Sequence, residues 1–193
     1  MSDQKTSVIA RIAMLSALVV LFDYGMKFPG WKIVFPWLPF LKFDFTGVPI
    51  MLSLLITGLG GGAATSAVAF LAILVRSGDI IGASMKAIAE FSTATGFYIG
   101  SRIFKGKFRF SRILPYTLGC ITRILVMFPL TVSIFVLYYG SLSIALALSP
   151  LVSVFNLFHG IISISGGDLL YETLKRRAPH LILTSKERFK AKK

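Results

Sequence analysis

FTGVPIMLSLLITGLGGGAATSAVAFLAILV, residues 45–75, carries no ionisable side chain between Asp44 and Arg76. Soluble helices alternate apolar and polar faces, whereas a helix that crosses a bilayer needs about 20 mostly apolar residues. The stretch therefore belongs in a membrane. As one helix, residues 47–76 would reach about 45 Å, well beyond a hydrocarbon core of about 30 Å. The run Gly58-Leu59-Gly60-Gly61-Gly62 supplies the interruption, because successive glycines form helix poorly and accept the left-handed conformations of a tight turn. Two short helices sheltered by their neighbours are expected here, in preference to one tilted helix.

Comparable apolar runs flank this stretch and predict spans near 7–26, 47–59, 61–76, 82–104, 113–139 and 148–174. The expected fold is an all-α integral membrane protein, a compact bundle of six transmembrane helices forming one domain over residues 1–174, with a basic tail over 175–193. Composition agrees: 55% of the 193 residues are hydrophobic and the mean hydropathy is +0.77, with the charges clustered between apolar runs. The net charge of +13 would suit nucleic acid, but its excess sits at segment ends, where cytoplasmic placement and anionic lipid both favour Lys and Arg. None of the usual nucleic-acid signatures is present. A lone Cys120 excludes an internal disulfide, and two histidines provide no Cys/His cluster at metal-ligand spacing, so neither metal nor other cofactor is expected. The first apolar stretch runs from Val8 to Leu21 with no small-residue cleavage site before a polar region, and reads as a retained first span.

Two basic segments set the orientation. Arg102, Lys105, Lys107, Arg109 and Arg112 form one, and the tail from Lys175 to Lys193 the other; both are expected in the cytoplasm, together with the N-terminus. The chain between them then crosses twice and turns near Gly140 to Ser143. The first external connection, from Phe28 to Phe45, holds both tryptophans, Trp31 and Trp37, with Pro29, Pro36 and Pro39 and many aromatics. Proline stiffens the backbone and removes donors, while aromatics suit the membrane interface or the cover of an apolar ligand, so the loop reads either as an aromatic belt or as a lid.

Charges within spans are costly, and those that occur face a bundle interior, pair, or mark a pathway. Here they are Lys86, Glu90, Arg123 and Asp168, while Arg11, Asp23 and Glu172 lie nearer helix ends. At about 1.5 Å per residue, Arg123 and Asp168 fall roughly 24 and 30 Å below the outer face and are expected to form a structural ion pair. By the same ruler Glu90, Asn156 and His159 fall about 12 to 17 Å deep, a candidate polar pocket. Lys86 and Glu90, four residues apart, have the spacing to neutralise each other. Asn156 and His159 share a face, and singly either would suit a hydrogen bond to a neighbouring helix. On the first helix Ala10, Ala13 and Ala17, with Ser16 beside them, make a small face that serves either internal packing or another membrane subunit.

These residues resemble the substrate-binding S components of energy-coupling factor (ECF) vitamin transporters, small six-helix membrane proteins, over nearly the whole chain. The most specific matches are similar to the riboflavin type: Leu41-Lys42-Phe43-Asp44-Phe45 leading into Val48-Pro49, the segment Arg123 to Met127, and Val154-Phe155-Asn156-Leu157-Phe158-His159-Gly160. The last is similar to that group's Pro-Phe-Asn-Leu-Ile-Lys-Gly ligand motif, with His159 in place of Lys and Val154 in place of Pro. Glu90-Phe91 resembles a fourth-helix Gly-Glu-Leu-Ala-Asn-Phe segment, with Ala89 for Gly and Thr93 for Asn. The resemblance implies a vitamin ligand, riboflavin or a related flavin, with Asn156, His159, Glu90, Lys42, Asp44, Phe43 and Trp37 as the binding set. It also implies that Ala13 and Ala17 dock on a transmembrane coupling subunit, that two partner ATPase subunits hydrolyse ATP, and that the chain reorients in a prokaryotic cell membrane. The chain itself has no Gly-x-x-x-x-Gly-Lys-Ser/Thr phosphate loop.

Other classes stay open on the sequence alone. Pantothenate or a pyrimidine precursor is the neighbouring ligand reading. A small intramembrane enzyme would draw on Glu90, His159 or Asp168 for acid-base work, but no nucleophile elbow, paired-aspartate signature or His-x-x-x-His motif accompanies them. A scaffold whose basic tail grips lipid is the third.

Overall fold

Among the described residues six helices follow one another: α1 (Ser2–Lys27), α2 (Gly47–Thr57), α3 (Leu59–Ser77), α4 (Ile80–Ile103), α5 (Ile113–Tyr139) and α6 (Leu142–Arg177). The structure is a computed structural model and describes residues 2–28, 30–103, 113–179 and 182. Lys105, Lys107, Arg109 and Arg112 of the basic connection, the tail cations from Lys186 onward and Pro29 lie outside the described residues.

The glycine-rich interruption falls where the length argument requires it. α2 ends at Thr57, and Gly58 turns with φ of +91° before α3 begins at Leu59. Gly58 Cα carries no Cβ to clash in that conformation, which other residues rarely adopt. α2 is apolar all round and buried from Gly47 to Leu54, since it packs against α1, α3, α4 and α6. Among the described residues four helices are long and apolar enough to cross a membrane: α1 over Lys5–Lys27, α3, α5 and α6. α2 is shorter, at 11 residues.

α6 departs most from expectation, beginning at Leu142 instead of residue 148. Gly140, with φ of +65°, and an extended Ser141 make the turn, and the apolar segment from Leu142 to Leu148 is helical. At about 1.5 Å per residue, this earlier start sets Asn156 and His159 about 9 Å farther along the helix than the sequence ruler did.

Close approach of α4 to α5 depends on small residues. A Cβ on Gly96 would stand 2.6 Å from the Leu118 carbonyl oxygen, and one on Gly119 would stand 3.2 Å from the Thr93 carbonyl oxygen. These contacts align Thr93 with Gly119 and so carry Arg123 toward Glu90 and Ala89.

The connection before α2 is not purely helical. Ile33–Val34 (β1) and Lys42–Phe43 (β2) pair antiparallel, with Ile33 opposite Phe43 and Val34 opposite Lys42. Between them the chain folds on itself, Phe35 N–H donating to Leu41 O at 2.9 Å and Leu41 N–H to Leu38 O at 2.9 Å. Phe35 and Leu38 are buried in one cluster with Phe135, Ala145, Val152 and Phe155, which seats the hairpin on the ends of α5 and α6.

Candidate functional site

Beneath that hairpin lies a cavity of about 250 Å³. Its wall is built by helical spacing: Gly82, Met85, Lys86 and Ala89 from α4 repeat the 3-1-3 intervals of Val152, Phe155, Asn156 and His159 on α6. Arg123 and Met127, one turn apart on α5, close the third side, and Phe40, Leu41 and Lys42 of the hairpin form the roof. The volume sits just under the ~300–1,000 Å³ usual for small-molecule sites, and the mixture of apolar wall with a few convergent polar groups is the usual make-up of such a site.

The polar groups form a connected network. Arg123, 1% exposed, donates through Nη1 to Glu90 Oε1 at 3.0 Å and to Thr93 Oγ1 at 3.0 Å, and through Nε to Asn156 Oδ1 at 2.9 Å. Asn156 in turn donates to Val152 O, and Ser163 Oγ donates to Glu90 Oε2 at 3.0 Å. Lys86 Nζ contacts Asp44 Oδ1 at 2.7 Å, His159 Nε2 at 3.1 Å and Glu90 Oε1 at 3.6 Å. A single buried ion is heavily penalised, and this alternation of signs is how the bundle tolerates several.

The network continues outward to the base of the roof. Asp44 also accepts from the Thr46 backbone and hydroxyl, and its Oδ2 lies 3.3 Å from Lys32 Nζ. Lys32 reaches Asp23 of α1 at 2.6 Å, which Arg76 of α3 also grips. Asp44 lies between β2 and α2, outside the spans. Burial alone would raise its carboxyl pKa, but Lys86, His159 and Lys32 outweigh burial and hold it well below the ordinary value.

The expected ligand residues separate into two sets. Asn156, His159 and Lys42 line the cavity; Asp44 and Glu90 are buried behind its wall as partners of Lys86 and Arg123. The Phe43 ring packs 4.7 Å from Phe155 and 5.8 Å from His159, supporting the wall. Trp37 is 62% exposed and meets Phe35 edge-on, away from the cavity lining. The loop thus serves both readings: its middle roofs the cavity, and Trp31 and Trp37 project outward.

One pairing is corrected. Arg123 does not meet Asp168, whose Oδ2 accepts from Tyr116 Oη at 2.8 Å. Asp168 lies 12 residues beyond Asn156 on α6, about 18 Å of helix, so it cannot share Asn156's partner. Arg123 and Lys86 belong to the cavity lining, and sequence reasoning placed neither there. The missed signal was the matching 3-1-3 spacing on α4 and α6. On α1, Ala10, Ala13 and Ala17 are exposed with Met14 and Leu21, whereas Leu15, Ser16 and Val19 are buried, so the small face looks out of the bundle.

No protein-family model and no curated protein matches this chain. Among solved structures, the S component of a bacterial ECF transporter is similar, with a TM-score of 0.72, 26% sequence identity, and coverage of 89% of this chain and 96% of that one. With the four long apolar helices, this likeness fits an all-α multi-pass membrane protein whose fold is similar to that S component.

Proposed function

We propose that the chain is the substrate-binding subunit of an ECF-type importer, which captures a vitamin in the cavity beneath the 33–43 hairpin and is not itself an enzyme. The observation that carries this reading is the structural likeness to a bacterial S component along nearly its full length, with a roofed cavity between α4, α5 and α6. All six helices serve as spans, with α2 sheltered by its neighbours, both termini cytoplasmic, and the prokaryotic cell membrane as the site of action. The outward small face at Ala13 and Ala17 supports docking on a transmembrane coupling subunit, because small side chains let helices approach closely. Two ATPase subunits on the far side of that partner supply the energy.

For the ligand, the flavin reading draws on the aromatic cluster of Phe35, Phe43 and Phe155 and on Asn156 at the wall. Asn156 and His159 are the proposed polar contacts, Lys42 the roof contact, and Asp44, Glu90 and Phe43 the supports that hold them. The test is a visible absorption spectrum of detergent-purified protein, followed by riboflavin titration with fluorescence quenching. A co-purified flavin or saturable quenching is expected; a colourless protein with no quenching would remove riboflavin as the ligand.

A further inference from the structure

Among the described residues the charged side chains that line the cavity, Lys42, Lys86 and Arg123, are all cationic, and no carboxylate lines it. Lys86 and Arg123 have their counter-charges behind the wall, in Asp44 and Glu90. Lys42 has no ion pair among the described residues. Along the connected network, four cations, Arg76, Lys32, Lys86 and Arg123, stand against three carboxylates, Asp23, Asp44 and Glu90, before Lys42 is counted.

The cavity therefore offers at its roof a cation with no ion-pair partner, and none of its described lining residues is an anionic acceptor.

We infer that the cavity takes a ligand with an anionic group, a carboxylate or a phosphate ester, held by Lys42, while its apolar body lies against Met85, Met127 and Phe155. This deepens the vitamin-capture reading and rests on it. It shifts preference from a neutral flavin toward acidic ligands, such as the phosphorylated flavin or a pantothenate-like acid.

The experiment compares matched pairs on the purified full chain in detergent: flavin mononucleotide against riboflavin, and pantothenate against pantothenol, with dissociation constants from calorimetry. The first pair reports on phosphate and the second on carboxylate. In whichever pair binds, the acid is expected to bind about tenfold or more tightly than its neutral analogue, the scale of a charge-assisted hydrogen bond. Lys42→Gln should abolish that preference and Lys42→Arg should retain it; the exposed position of Lys42 leaves the bundle intact in both. Equal or tighter binding of a neutral member, or a preference that survives Lys42→Gln, would overturn the inference while leaving vitamin capture standing. Absence of binding by all four compounds would remove the capture reading, and the inference with it.

Discussion

Replacing Arg123 with Leu is the most discriminating perturbation of this bundle. Arg123 is 1% exposed and makes three hydrogen bonds, to Glu90, Thr93 and Asn156. Its removal leaves Glu90, itself 1% exposed, with Ser163 at 3.0 Å and the more distant Lys86 at 3.6 Å. Breaking a buried pair by deleting one member typically costs about 3–5 kcal/mol, because a charge is left behind. The surviving Lys86 contact places the expected loss near the lower end, about 3 kcal/mol. For a chain of this size that is a fall in Tm of about 6–12 °C. Cys120 is the chain's single cysteine and is buried, so a thiol-reactive fluorophore reports unfolding directly in detergent. Arg123→Leu combined with Glu90→Leu removes both charges and should recover at least half of the loss, whereas exchanging Arg123 and Asp168 should recover nothing. Full rescue by the Arg123→Asp, Asp168→Arg exchange would refute the network described here and restore the pairing suggested by helix depth alone.

Asp44 supplies a pH test. Its carboxyl is held well below the ordinary value by Lys86, His159 and Lys32, so its stabilising contribution is complete above the ordinary carboxylate range of about 4 and is lost only as pH falls through the depressed value. The wild-type Tm should therefore owe no slope to Asp44 between pH 5 and 8. In Lys86→Met the burial effect is opposed by fewer cations, so the variant's Tm deficit should be larger at pH 7.5 than at pH 5; an unchanged deficit would dissociate Asp44 from Lys86. Asn156→Ala should weaken binding of the cognate ligand about tenfold while costing about 1–3 kcal/mol of stability, since Arg123 Nε loses its acceptor; unchanged affinity in a titration would remove Asn156 from the site. Ala13→Leu and Ala17→Leu should block co-purification with the coupling subunit and leave solitary ligand binding intact, because both positions are exposed; loss of ligand binding as well would point to internal packing.

Much of this protein is legible in its sequence by itself. Hydrocarbon excludes charge and demands helices of fixed length, so apolar runs located all six helices, and the excess length of residues 47–76 required the turn found at Gly58. The same cost of charge singled out Lys86, Glu90 and Arg123 as interior groups, and Asn156 and His159 shared a face by spacing. Which cation meets which anion was decided by the tertiary structure alone. A ruler drawn from predicted helix ends placed Asn156 about 9 Å too shallow, because the six residues before 148 gave no composition signal separating turn from helix. Register between packed helices comes instead from contacts distant in sequence, such as Gly96 against Leu118 and Gly167 against Met51. Those contacts bring Arg123 to Glu90 and leave Asp168 with Tyr116. The direction of the alanine face was equally beyond sequence, since a small-residue stripe has the same chemistry whether it looks inward or out; only the packing of Leu15 and Val19 into the bundle turns Ala13 and Ala17 outward.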